Sequence, residues 1–287
     1  MMSAALTRIT LYLRMIKFSH SVFALPFALT AALIAASGIP TFRQVLWIVI
    51  AMVGARSGAM GLNRLIDREI DSANPRTAGR ELPRGLIGVS ETVLFIAVSF
   101  GVLILAASRL NPLCLKLSPV AILVLFLYSY TKRFTWASHF VLGLAISAGP
   151  IGAWIAVRGS FDAAILPLAA GVIFWLAGFD VLYALQDLDF DRGHGLYSIP
   201  RRFGIRRSLL LARAFHLITF LFLLLNGLLF HLGTFYWAGL AVVAGLFFYE
   251  HSLIREDDLS KLDVAFFTMN GYISMAVFFF TLLNYTV

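Results

Sequence analysis

Charge is what this sequence has least of. Only 13% of its 287 residues are Asp, Glu, Lys or Arg, against 60% that are hydrophobic, and mean hydropathy is +0.87. That balance excludes an ordinary soluble domain. Cysteine is scarcer still. Cys114 stands alone, so no internal disulfide forms and no thiolate cluster holds a metal; it reads as a small apolar filler. A cleavable leader is not expected either, because Ala35-Ala36-Ser37 lies too far from the start. Acidic residues number 15 against 23 basic ones, a net charge of +8. Such an excess can signal nucleic acid, but here the basic residues gather in loops on one expected side of a membrane, so no nucleic-acid partner is expected.

What is abundant is long apolar sequence. The spacing predicts an all-α polytopic bundle in the lipid bilayer, with nine spans at about 19–37, 43–66, 89–109, 112–131, 138–157, 162–187, 208–230, 233–250 and 264–286. Residues 1–18 carry Leu6, Ile9, Leu13 and Ile16 at helical spacing and read as an interfacial amphipathic helix leading into the first span. Arg43, Arg109, Lys116 and Arg158 fall on one side and Arg56 falls within a span; the rest of the 23 basic residues share the side of the N-terminus. That bias places the N-terminus in the cytoplasm, across a cytoplasmic (inner) membrane. Ser19-His20 recurs 119 residues later as Ser138-His139, and Asp67 and Asp71 recur 120 residues later as Asp187 and Asp191. Two parallel four-helix halves plus a ninth helix around a central cavity, in a single domain over 1–287, account for that offset.

The candidate site lies where two apolar runs end. Asn63, Asp67 and Asp71 recur every fourth residue, each step advancing roughly 40° around a helix. Asp180, Asp187 and Asp191 likewise stay within about 40° of one another. Each stripe sits at a helix C-terminus, where the macrodipole is already negative, so carboxylates there call for cations. Arg64 and Arg68, as adjacent residues, are expected to point away from the first stripe. Oxygen-only ligands favour a hard divalent ion, and Mg²⁺ is typically held by a few carboxylates plus substrate phosphates. The second stripe, packed opposite the first, would hold a second ion.

Two loops of about twenty residues, 67–88 and 188–207, follow the stripes and are rich in Gly, Pro and Arg, the kind of long loop that is usually functional. Arg76, Arg80 and Arg84 in one and Arg201 and Arg202 in the other suit diphosphate oxygens. Lys132 comes one helical turn after Tyr128. Acidic metal ligands, basic phosphate ligands and an apolar bundle for a hydrocarbon tail point to a polyprenyl diphosphate.

Asn63-xxx-Asp67-xxx-Asp71, Tyr128-xxx-Lys132 within Tyr-Ser-Tyr-Thr-Lys-Arg-Phe-Thr, and Gly178-Phe-Asp180…Gln186-Asp-Leu-Asp-Phe-Asp191 together resemble the UbiA superfamily of intramembrane aromatic prenyltransferases. Phe18-Ser-His20-Ser-Val-Phe-Ala-Leu-Pro-Phe-Ala and Gly149-Pro-Ile-Gly-Ala-Trp154 look like its bacterial 4-hydroxybenzoate polyprenyltransferase-like branch, near menaquinone-pathway members of the futalosine route. The resemblance implies Mg²⁺-dependent transfer of a polyprenyl group to an aromatic acid in ubiquinone or menaquinone biosynthesis. It implies that Asn63, Asp67, Asp71, Asp187 and Asp191 hold two Mg²⁺ ions, with Asp180 deeper on the same face. Lys132 and Arg84 (or Arg80) would bind diphosphate oxygens. Asp180 is one candidate base for the ring proton, and Tyr128, Tyr183 or Trp154 could face the allyl cation. Asn63 stands where the motif can carry Asp, and an amide oxygen still serves as a ligand.

Plainer roles compete at several positions. His20 and His139 either satisfy an interface or touch the acceptor. Arg56, mid-span, is expected to face the bundle interior, paired or aimed at an anionic acceptor. Asp263 and Asn270 could merely satisfy neighbours. The alternative for the whole chain is a secondary transporter of a small anionic solute, whose charges would gather at mid-membrane on broken helices rather than at one rim.

Overall fold

The computed structural model describes residues 2–17 and 23–287, with the backbone alone at residues 2–7 and 9. Ser19-His20 therefore lies outside the described residues. The helices are α1 (Met2–Met15), α2 (Ala24–Ala36), α3 (Phe42–Ile66), α4 (Arg68–Ala73), α5 (Val89–Leu110), α6 (Pro112–Thr131), α7 (Ser138–Arg158), α8 (Leu166–Ala184), α9 (Leu188–Gly193), α10 (Ile199–Leu229), α11 (Thr234–Ser252) and α12 (Asn270–Thr286). Among the described residues there is no strand.

Seven helical segments, rather than nine, are long and apolar enough to cross a membrane among the described residues. Within the first expected span the described helix is α2, whose 13 residues cover about 20 Å at the α-helical rise, against a hydrocarbon core of about 30 Å. The eighth, α11, carries Glu250 and His251 in its last turn, which lowers its apolar character. The expected interfacial helix is α1, but it also packs inward. Met15 and Ile16 are buried against Leu82 and Ile87, and Tyr12 stacks on Phe95 with centroids 5.2 Å apart. Leu13, expected on the apolar face, is exposed.

The chain forms two compact units, which do not divide at the expected halves: residues 1–21 with 47–130, and residues 22–46 with 131–287. In the first, α3 approaches α5 closely. A Cβ at Gly54 would stand 2.8 Å from the Ser99 carbonyl oxygen and 2.9 Å from the Leu103 nitrogen, so only glycine fits. In the second, α8 is the central helix, packed between α7 and α10. Trp175, Val172, Leu168 and Ala177 on α8 are fully buried. The α2 helix joins this unit, against α7 and α12, because Ala28, Ala31, Ala32 and Ala35 present a small-residue face.

A polar cluster ties α10, α11 and α12 together inside that unit. Asn270 Nδ2 donates to Glu250 Oε1 at 2.8 Å and to the carbonyls of Ala265 and Phe266, which belong to a π-helical turn over Val264–Met269. The His216 Nε2 donates to the Trp175 carbonyl and its Nδ1 lies 3.0 Å from His251 Nε2. Asn270 thus satisfies neighbours, as does Asp263, which accepts from Gln186 at 3.0 Å. Since Glu250 is 0% exposed, Asn270→Leu should cost about 1–3 kcal/mol by leaving it without this donor. The check is the thermal unfolding midpoint in detergent: the Asn270→Leu protein melts lower, and adding Glu250→Leu recovers part of the loss.

Candidate active site

In the first unit α3 stops at Ile66, Asp67 takes φ −91°, ψ 3°, and α4 begins at once. The step of four survives this break, because Asp67 N bonds Asn63 O at 2.9 Å and Asp71 N bonds Asp67 O at 2.7 Å. Asp67 and Asp71 are 2% and 4% exposed. Asn63 Nδ2 donates to Asp67 Oδ2 at 2.9 Å. Both Asp71 oxygens accept from Arg80 Nη1, at 2.7 and 2.8 Å.

Arg64 corrects one expectation. Its Nη1 lies 4.0 Å from Asp71 Oδ2, and its Nε donates to the Met15 carbonyl at 3.1 Å. The reason is spacing: Arg64 precedes Asp71 by seven residues, close to two turns, so they share a face. Arg76 and Arg84 are exposed on the loop. On α3, Arg56 lies within electrostatic reach of Tyr128 on α6, and among the described residues its buried Nε has no hydrogen bond.

Arg80 neutralises a buried carboxylate that is also a candidate metal ligand. Arg80→Gln should therefore act in opposite directions on two ligands. Divalent metal alone binds several-fold more tightly, while KM for a prenyl diphosphate rises roughly tenfold through loss of one charge-assisted bond. Calorimetric titration and initial rates measure the two effects separately.

The second unit repeats the local design 120 residues later. Here α8 gives way to a 3₁₀ turn over Leu185–Asp187, Asp187 takes φ −104°, ψ 8°, and α9 follows with six residues, the length of α4. Asp191 is buried, its Oδ2 accepting from Ser198 Oγ at 2.8 Å. Ser198 caps α10, accepting from Arg201 N at 3.3 Å. Lys132 anchors this loop by its backbone, accepting from Tyr197 N at 2.7 Å, and its side chain lies within electrostatic reach of Asp191. Arg201 is engaged within its own loop: it donates to the Leu196 carbonyl and lies over the Tyr197 ring.

Asp180, on α8, accepts at Oδ2 from His139 Nδ1 at 2.7 Å. His139 is itself buried, at 3% exposed. Only tertiary structure brings this pair together, since 41 residues separate them. Trp154 has no open face for a cation: it is 0% exposed and Arg158 lies over its ring at 5.4 Å. Tyr183 has one face covered by Phe266, at 4.2 Å.

Within either unit, no three His, Cys, Asp or Glu side chains cluster as a metal site among the described residues. The candidate ligands are instead two carboxylates with an amide in the first stripe, Asp67, Asp71 and Asn63, and two carboxylates in the second, Asp187 and Asp191. Such a sparse, oxygen-only set fits Mg²⁺, which completes its shell with phosphate and water oxygens.

The model of the UbiA prenyltransferase family matches residues 24–280. The chain belongs to this family. A 4-hydroxybenzoate octaprenyltransferase of Vibrio atlanticus (strain LGP32) is 34% identical over 250 residues, covering 87% of each chain. Among solved structures, the apo UbiA homolog from Aeropyrum pernix K1 matches with a TM-score of 0.80 at 27% identity, over 92% of this chain and 96% of that one. A UbiA homolog from Archaeoglobus fulgidus bound to GPP and Mg²⁺ shares the fold, with a TM-score of 0.71 at 20% identity over 96% and 100%. Membership of the UbiA prenyltransferase family sets aside the transporter alternative.

Proposed function

We propose that this UbiA family member transfers a polyprenyl group from its diphosphate to an aromatic acid, 4-hydroxybenzoate or a related quinone precursor, and releases diphosphate. The observation that carries this reading is the repeated helix break, which presents Asp67 and Asp187 in the same backbone conformation, each followed four residues later by a buried Asp. The curated relative's name supplies the acceptor. Asn63, Asp67, Asp71, Asp187 and Asp191 would hold Mg²⁺, which when bound supplies positive charge against the departing diphosphate. Lys132, Arg80, Arg84 and Arg76 bind diphosphate oxygens and stabilise the same charge. Arg56, whose Nε has no hydrogen bond among the described residues, pairs with the acceptor carboxylate. Tyr128 offers an aromatic face to the allyl cation. The apolar bundle keeps water from it.

Nine crossings, with α2 in the first and α11 as the eighth, would put both stripes at the cytoplasmic face of the inner membrane. The test is incubation of purified protein with a radiolabelled prenyl diphosphate, 4-hydroxybenzoate and Mg²⁺. A prenylated acid and free diphosphate in equal amounts support the assignment. No diphosphate release with any phenolic or naphthoic acid ends it.

A further inference from the structure

His139 belongs to neither the metal ligands nor the phosphate ligands, yet its two bonds fix its tautomer. The Ile199 amide donates to Nε2 at 3.3 Å. A backbone N–H is only a donor, so Nε2 carries the lone pair and the ring proton sits on Nδ1. There it is donated to Asp180 Oδ2 at 2.7 Å. The imidazole is enclosed, while the Asp180 side chain keeps 23% of its surface open. One oxygen of Asp180 is thus held from behind and the group remains reachable from the front. The element that sets this tautomer is the first turn of α10, where the cap Ser198 also donates to Asp191.

We propose that His139 is a positioning residue that aims Asp180 at the proton of the reacting ring carbon. The inference rests on the prenyl-transfer assignment above. In that reaction the allylic C–O bond breaks and its electron pair leaves with the diphosphate. A ring carbon beside the acceptor hydroxyl contributes a π pair to the new C–C bond. The C–H bond at that carbon then breaks, its electrons restore the aromatic ring, and its proton passes to the Asp180 carboxylate. Nothing else is oxidised or reduced. A donor fixed on Nδ1 holds the carboxylate in one rotamer and keeps Oδ2 an acceptor, as carboxylate–histidine pairs do in reverse when the histidine is the working group.

The experiment compares His139→Phe, His139→Asn and Ile199→Pro with wild type, using ring-deuterated and ordinary 4-hydroxybenzoate with a prenyl diphosphate and Mg²⁺. His139→Phe lowers kcat roughly 10²-fold, the usual size of a positioned general base, with KM for both substrates changed less than about threefold. Its isotope effect on kcat exceeds that of wild type, because proton removal has become slow. His139→Asn, whose Nδ2 reaches near the Nδ1 position, recovers about tenfold of the loss. Ile199→Pro removes the amide donor without touching the imidazole. Proline suits the first helical position, and Ser198 is already extended at φ −147°, ψ 161°. It should give a smaller loss with the same rise in isotope effect, which keeps the test available if His139→Phe does not fold. An active wild type whose variants show an unchanged isotope effect overturns the role of His139 alone. An inactive wild type overturns the prenyl-transfer assignment and this role with it.

Discussion

Asp67→Ala lowers kcat/KM for prenyl transfer by roughly 10³-fold or more, and Asp187→Ala does the same. Each residue stands at the break between a long helix and a six-residue helix, where its backbone is neither fully helical nor extended. Both side chains follow a helix end that is already negative, so a bound cation has most to offer there. If these residues hold Mg²⁺ as proposed, loss of one carboxylate removes a ligand from a set with few to spare, since each stripe has only two candidate carboxylate ligands. The folded protein should tolerate the change. Asp67 is 2% exposed, and taking a buried charge away need not destabilise a core. The measurement is steady-state transfer across a Mg²⁺ titration, with size-exclusion elution in detergent as the folding control. Well-folded Asp67→Ala protein within tenfold of wild type would contradict the assignment.

Lys132→Ala is expected to lower kcat by about 10²-fold, more than it raises KM. The main chain of Lys132 is bonded to Tyr197, so the residue is held in place by the loop that also carries Ser198 and Arg201. Its ammonium lies within electrostatic reach of Asp191. A cation placed beside the proposed Mg²⁺ ligands would gain most when negative charge builds on the departing diphosphate, and that is a transition-state effect. Lys132→Arg keeps the charge but spreads it over a wider plane, and should retain an intermediate rate. Single-turnover kinetics separate the two cases: a binding role alone would leave the saturated rate unchanged.

Much of the site was legible because its residues lie close in sequence. Asn63, Asp67 and Asp71 are joined by consecutive four-residue backbone bonds, so helical arithmetic placed them together despite the break at Asp67. Arg64 was legible by the same arithmetic, had the interval of seven to Asp71 been counted instead of the adjacency to Asn63. His139 with Asp180 was not legible, because no periodicity links residues 41 apart on different helices. Nor was the place of α2, whose alanines select α7 and α12 by close packing rather than by hydrophobic pattern. The expectation of nine membrane-length helices counted apolar length alone. It gave no weight to Glu250 in the last turn of α11, and only the tertiary structure shows that Asn270 bonds this side chain inside the protein. Arg201 suits phosphate oxygens by composition, and the further bond from its Nη1 to the Leu196 carbonyl within the same loop is one that no spacing rule announces.

We propose above all that each acidic stripe is needed to bind the prenyl diphosphate. Mg²⁺-dependent binding of a non-ionising prenyl thiolodiphosphate to Asp67→Asn and to Asp187→Asn tests this most directly. Each substitution is expected to weaken binding by roughly 10²-fold. Mg²⁺-dependent binding that survives either substitution intact would contradict it.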